Sequence, residues 1–360
     1  MTHVANDAAG DALRVRTSSG GLGGGLFLAV VSATSFGMSG SLARGLLSSG
    51  WSPGAIVLAR IGIAALVVAP FAAASLRGRW HRLRAQARTV LVYGVLGLAG
   101  AQFCFFSAVT TMDVAPALLI EYTAPAAVVA WLWARRGLRP RPYTLAGAGM
   151  AAVGLVPAVD LISGADLAWS GVAWALAAMV GLTAYFLIAA DTDTGLPPVA
   201  LTGAGLMIGT LTLAALAAVG LLPMHATVEP ASYATGAAPW WLPVLLLGVV
   251  TAALAYTTGT AASRRLGART ASFVALLEIV ASVGFAWLLI DETPTTSQTA
   301  GGLLIIGGVI LAELDDHRPR RERRTGVDRG DHVAGAVRDP GARTGDGRRE
   351  GRRAGSATLG

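Results

Sequence analysis

Ten apolar stretches, each about 20 residues long and separated by short loops, constrain this chain more than any single residue, because arginine gathers on alternate loops. About 20 mostly apolar residues of helix cross the hydrocarbon core of a bilayer. The stretches fall at about 24–45, 54–75, 88–108, 115–134, 143–160, 169–190, 198–222, 241–262, 270–290 and 297–314. The alternation of lipid-facing and lumen-facing residues that marks an outer-membrane barrel strand is missing. The pattern therefore predicts an all-α membrane protein with ten transmembrane helices. Composition agrees: 14% of residues are charged, against about a quarter in a soluble domain.

Charge placement sets the expected orientation. All 28 basic residues are Arg. With the N-terminus in the cytoplasm, the internal segments hold Arg14 and Arg16, then Arg77, Arg79, Arg82, Arg84 and Arg88, then Arg135, Arg136, Arg139 and Arg141, then Arg264, Arg265 and Arg269, and the arginines of the tail after Asp315. Arg44 alone lands outside, and Arg60 lies within span 2. Short loops obey the positive-inside rule, so both termini are expected in the cytoplasm. The internal loop at Asp191 and Asp193 carries no Arg and is the weak point of this topology. The net charge of +7 sits largely in that tail, mixed with Asp and Glu, so a nucleic-acid partner is not expected. The first 20 residues lack the ordered regions of a signal peptide, so span 1 is expected to remain as an anchor. The single Cys104 excludes a disulfide framework.

The chain also repeats itself. A shift of 154 residues lays 94–155 on 248–309 without gaps. Gly94 then meets Gly248, Ala108 meets Ala262, Pro140 meets Pro294, Gly147 meets Gly301 and Gly154 meets Gly308. Apolar similarity between membrane helices is common, but the Pro, the Gly pairs and the unbroken register point to duplication. Loop charges provide an independent check. RRGLRPRP after span 4 corresponds to DETPTT after span 9, and TTMDVAP after span 3 to RRLGART after span 8. Opposite charge at equivalent loops is what two inverted five-helix repeats require. The expected organisation is a cytoplasmic segment 1–23, repeat 1 over 24–160, an inverted repeat 2 over 169–314, and a tail 315–360 too poor in apolar residues to bury a core and so disordered.

With these features in place, the sequence resembles the EamA-type transporters of the drug/metabolite transporter superfamily over about residues 25–313. The carriers of the likeness are the five-plus-five arrangement, SFGMSG in span 1, SPGAIVLARIGIAAL in span 2, APALLIEYTAPAAVVAWLW in span 4 and ASFVALLEIVASVGFAWLLIDE in span 9. Phe36 stands where the family pattern has Trp, Ile279 where it has Pro, and Asp291 where it has Gly. The resemblance implies a secondary carrier, often an exporter of amino acids, metabolites or drugs, and does not name the substrate.

Glu121 and Glu278 are the only carboxylates well inside the spans. An ionised carboxylate near the bilayer centre costs at least a few kcal/mol. Such groups serve as proton relays and substrate sites, and equally as structural carboxyls bonded to a neighbouring helix. Arg60 reads either as a side chain snorkelling to the headgroups or as a fixed cation for a substrate carboxylate. Gln102, Tyr122, Tyr185, Tyr256 and Trp131 are candidate cavity residues, although Tyr and Trp also favour membrane interfaces. Pro125 is expected to kink span 4 beside Glu121. Ser35 and Ser39, with Gly37, Gly40, Gly203, Gly205 and Gly209, read as close-packing positions.

The functional expectation is a secondary transporter working by alternating access, an exporter of amino acids or amphipathic drugs, with proton coupling as an open addition. A passive facilitator or channel is the alternative. A membrane-embedded enzyme is the weaker one, since no His lies inside a span to activate Ser39, and no HExxH, Cys/His cluster or Walker loop is present. No cofactor or metal is expected. The expected partners are a small-molecule substrate, protons, lipid and, left open, a second copy of the chain. The Arg-only, Ala- and Gly-rich composition fits a high-GC bacterium and hence the plasma (inner) membrane.

Overall fold

Helices account for most of the described backbone, and their boundaries follow from local chemistry. The computed structural model describes residues 3–109, 111, 117, 120–137, 140, 142–158, 169–291, 293 and 295–316, with side chains from residue 22 onward. The expected disordered tail beyond residue 316, Pro294, Arg139 and Arg141 lie outside the described residues. In chain order the helices are α1 (His3–Ser48), α2 (Pro53–Ser75), α3 (Trp80–Ala85), α4 (Ala87–Val92), α5 (Ala101–Val109), α6 (Ala124–Arg136), α7 (Pro142–Ala158), α8 (Trp169–Ala189), α9 (Pro198–Ala218), α10 (Trp241–Gly248), α11 (Ala255–Ala275), α12 (Leu277–Ile290) and α13 (Thr296–Asp316). Wider π-helical turns join α4 to α5 (Tyr93–Gly100) and α10 to α11 (Val249–Leu254). Among the described residues six segments, against the ten expected, are long and apolar enough to cross a bilayer: Leu22–Ser48, Pro53–Ser75, Ala87–Phe105, Trp169–Ala189, Pro198–Ala218 and Trp241–Ala275. Leu277–Ile290 and Thr299–Ala312 are shorter apolar helices.

Two spans depart from their sequence outlines. Span 4 is interrupted: residues 122 and 123 form a turn, and α6 starts afresh with Pro125 in its first turn, where a missing N–H costs nothing. Pro125 therefore marks a helix start rather than a kink within a continuous helix. RRLGART, expected as a loop between spans 8 and 9, is helical apart from Gly267, whose φ of 82° and ψ of 164° break the run inside α11. A side chain would be strained there, so Gly supplies the reversal.

Backbone irregularities recur at the repeat interval. The two π-helical stretches end at Gly100 and Leu254, and the turns at Tyr122 and Leu276 interrupt corresponding helices. Both α6 and α12 end in a left-handed residue, Gly137 (φ 64°) and Asp291 (φ 56°), the latter being the one non-glycine with positive φ among the described residues. Each pair is separated by the same 154 residues as the sequence repeat. Contacts between the halves are reciprocal as well. A Cβ on Gly147 would strike the Gly308 carbonyl, and one on Gly154 the Gly301 carbonyl. α7 and α13 therefore run in opposite directions at close range, each presenting glycines to the other. Likewise Gly94 packs on Ile208 of α9, and its repeat mate Gly248 packs on Ile63 of α2.

Loop contacts sort the connections into two faces. On one, Arg264 Nε donates to Ala189 O (3.0 Å) and Nη1 to Leu196 O (3.3 Å), while Arg82 Nη1 donates to Gly195 O (3.3 Å). The loop at Asp191, which has no arginine of its own, is thus held by arginines from two others. On the other face, Ser52 Oγ donates to Pro223 O (2.8 Å), Thr227 Oγ1 to Ser49 O (2.7 Å) and Trp51 Nε1 to Thr227 O (2.9 Å). Here the 219–240 loop carries a hairpin, Ala231–Tyr233 with Gly236–Ala238. It bridges the ends of α1 and α12: Tyr233 donates its hydroxyl to Leu42 O (2.8 Å) and Ala234 its N–H to Leu289 O (2.8 Å). Partial burial pushes the Tyr233 phenol up to about 12, which keeps the proton that this bond requires.

Candidate functional site

A cavity of about 520 Å³ lies between the two halves. From the N-terminal half come α1, Arg60 of α2, Gln102 of α5 and the Glu121–Pro125 turn; from the C-terminal half come α8, α11 and α12. Seven of the eight sequence candidates line it: Arg60, Gln102, Glu121, Tyr122, Tyr185, Tyr256 and Glu278. Trp131 does not. It is 48% exposed on α6, with the Arg135 guanidinium 5.0 Å from its ring centroid, a cation–π pair on the outer surface of the helix.

Arg60 points inward rather than snorkelling. It is 6% exposed, and its Nη2 donates to Thr251 O at 2.7 Å. That carbonyl belongs to the π-helical stretch, where the widened turn disturbs the usual i→i−4 ladder and leaves an acceptor for a side chain from another helix. The Arg60 guanidinium carbon lies 5.6 Å from the Phe36 ring centroid, and its Nε is buried without a partner. A guanidinium held from one side in this way keeps donors for an anion.

The two carboxyls flank the two helix breaks. Glu121 immediately precedes the turn at Tyr122, and Glu278 is in the first turn of α12, where helix N–H groups lack intrahelical acceptors. Both are only partly buried, their remaining surface facing the cavity. Glu121 interacts electrostatically with Glu278, and Glu278 with Tyr122 and Arg60. The two glutamates are not repeat mates: Glu278 corresponds to Ala124. Arg60 is also without a counterpart: α2 and α9 each open on a proline, Pro53 and Pro198, and aligned on these Arg60 meets Gly205, whose missing side chain leaves room for the Tyr93 ring.

Aromatic rings form one wall. Phe36 meets Tyr256 edge-on (4.8 Å, 81°), Tyr256 meets Tyr185 (5.9 Å, 65°), and Tyr185 stacks on Tyr93 (5.7 Å, 22°) and meets Phe186 (5.0 Å, 75°). The sequence reading missed Ser32, Phe186, Gly259 and Ser263, all of which line the cavity. Tyr256, Gly259 and Ser263 sit at i, i+3 and i+7 on one helix face, a spacing that would have selected them once Tyr256 was chosen. Of the expected packing positions, Gly37 lies against Glu278 O and Gly203 against Ala72, while Gly40 has open space and, with Ser39, faces the cavity.

The profile of the EamA-like transporter family matches residues 23–159 and again 169–314. Among curated proteins, the chain is 27% identical over 245 residues to the uncharacterized inner membrane transporter YicL of Salmonella typhimurium, covering 66% of this chain and 77% of that one. It is 28% identical over 264 residues to the aromatic amino acid exporter YddG of Ancylobacter novellus, covering 71% and 83% respectively. A protein of known crystal structure superposes with a TM-score of 0.64 at 26% identity, covering 82% of this chain and 97% of that one.

Proposed function

The chain belongs to the EamA-like transporter family, and we propose that it is a ten-span secondary carrier that exports small amphipathic metabolites, aromatic amino acids foremost, by turning one cavity alternately toward each face of the membrane. The observation that carries this reading is the cavity itself: both halves build it, and it joins a fixed guanidinium and two carboxyls to an aromatic wall. A zwitterion with an apolar side chain matches that set. Its carboxylate would meet Arg60, its ammonium Glu121 or Glu278, and its side chain the rings of Phe36, Tyr185 and Tyr256. The similarity to the aromatic amino acid exporter of Ancylobacter novellus favours aromatic amino acids within this class. The reciprocal Gly147–Gly308 and Gly154–Gly301 contacts support halves related by a two-fold axis in the membrane plane, an arrangement with two near-equal conformations. Arginine on the face that holds Asp191 supports cytoplasmic termini in a plasma membrane.

The carboxyls supply a coupling device. With both ionised, the site carries two negative charges against Arg60; one proton restores neutrality. Export of a zwitterion in exchange for a proton then needs only a change in protonation of Glu121 or Glu278 between the two states. Counterflow in proteoliposomes tests the proposal. Labelled phenylalanine should accumulate against its gradient when a pH gradient is imposed. Flux that is strictly downhill and indifferent to pH would support a passive facilitator. An embedded serine hydrolase has less support, because neither His81 nor His225 lines the cavity with Ser39.

A further inference from the structure

Beside the aromatic rings, the cavity carries polar groups that the zwitterion leaves unused. Gly259 of α11 forms its floor: a methyl group there would lie 2.5 Å from the Tyr185 hydroxyl and 2.7 Å from Ser32 Oγ. Ser263 follows one turn later on the same face. Tyr185 is 4% exposed and Ser263 1%, and neither side chain completes a hydrogen bond of good geometry; the Tyr185 hydroxyl faces that of Thr260, which is already taken by Tyr93. Ser32 Oγ donates to Ala255 O at 2.8 Å and so retains lone pairs to accept with. A buried hydroxyl without a partner costs about 1–3 kcal/mol, and two such groups lining one cavity mark a place for a ligand.

The group is held rigidly. Tyr185 is fixed by its stack on Tyr93, and Tyr93 is fixed in turn by a 2.9 Å hydrogen bond between its hydroxyl and Thr260 Oγ1. Thr251, which holds Arg60, and Gly259 are eight residues apart along the same helical run, about 12 Å. The hydroxyl cluster is therefore a separate point of attachment from the guanidinium.

We infer that Ser32 and Tyr185, which meet over Gly259, together with Ser263 one turn further along α11, form a second subsite that takes an uncharged hydroxyl or carboxamide at the far end of an elongated substrate. Hydroxyls both donate and accept, which matches a ligand group that does the same; a carboxylate finds its cation at Arg60 instead. The inference rests on the cavity being the substrate site.

Tyrosine and phenylalanine differ by the one hydroxyl at issue, and the test is the ratio of their counterflow rates in wild type, Tyr185→Phe, Ser263→Ala and Gly259→Ala. Wild type should favour tyrosine, and either hydroxyl deletion should lower the ratio about tenfold, as expected when a buried hydrogen bond is lost. In Gly259→Ala the added methyl group displaces the Tyr185 hydroxyl, and the ratio should fall in the same direction. A wild-type ratio of one, or a ratio that neither hydroxyl deletion moves, overturns the subsite while leaving the carrier intact. If neither amino acid moves, the proposed substrate is wrong, and the subsite is decided by binding instead. Phenol should then raise the unfolding temperature of the solubilised wild type more than toluene does, and Tyr185→Phe and Ser263→Ala should erase the difference. Equal shifts by phenol and toluene in wild type overturn it.

Discussion

Replacing Gly308 by Ala probes the contact on which the paired halves most visibly depend. The added methyl group would lie 2.6 Å from Gly147 O and 2.7 Å from Ala151 N, both backbone atoms that no rotamer change can move. Ordinary carbon contacts are about 3.5–4.0 Å, so α7 and α13 must part by roughly 1 Å along their whole contact. Overpacking of this kind costs about 1–3 kcal/mol. Gly147→Ala strikes the same interface from the other side, at 2.5 Å from Gly308 O and 2.8 Å from Ala312 N, and should cost a similar amount. One separation of the helices relieves both clashes. The double variant should therefore be less destabilised than the sum of the singles by at least about 0.5 kcal/mol. Gly149→Ala is the control, since a methyl group there meets nothing within 4 Å and helix propensity favours Ala. Thermal unfolding in detergent reads all four variants, with a thiol-reactive dye reporting exposure of Cys104, the sole cysteine. A Gly308→Ala protein as stable as Gly149→Ala, or strict additivity in the double variant, would refute the reasoning.

Arg60→Lys keeps a charge but loses the planar fork, so it should cut counterflow at least tenfold and lower stability by about 1–3 kcal/mol through loss of the bond to Thr251 O; full activity would remove Arg60 from the site. Glu121→Gln and Glu278→Gln fix a carboxyl in a neutral form, and at least one of them should flatten the rate between pH 5 and 8. Wild-type pH profiles in both would end the proton-relay proposal and leave carrier function standing. Asp291→Gly relieves a left-handed residue where the other half already has Gly137, and should stabilise by about 1 kcal/mol in thermal unfolding; a loss of stability would mean that the aspartate side chain contributes more than its backbone costs.

The helical membrane class and the two-part repeat were legible because each rests on a redundant signal: runs of about twenty apolar residues tolerate local error, and a gapless 154-residue register survives substitution of most individual positions. Of the ten spans expected, six stand as long apolar helices among the described residues. Arg60, Glu121 and Glu278 stood out because charge in hydrocarbon is costly, so few are present and each draws attention. What the sequence hid depends on single-residue geometry. One extra residue per turn at Tyr93–Gly100 and Val249–Leu254 hardly alters hydropathy, yet it exposes the Thr251 carbonyl to Arg60. Gly267 breaks α11 inside a stretch whose arginines announced a loop, while its neighbours remained helical. Ser32 and Ser263 look like the small residues that let membrane helices approach, and only their places in the cavity, over Gly259 and one turn further along α11, set them apart. Trp131 matches a cavity residue by type alone, and its side of α6 faces outward.

Single cysteines at Pro140 and Thr295, in a Cys104→Ala background, test the inverted pairing most directly when labelled in intact cells by a membrane-impermeant maleimide. The cysteine at 295 should react at once, and that at 140 only after permeabilisation. Reaction of both from the same side would mean that the two halves enter the membrane in the same sense, and a single cavity alternating between faces could not be built from them in this way.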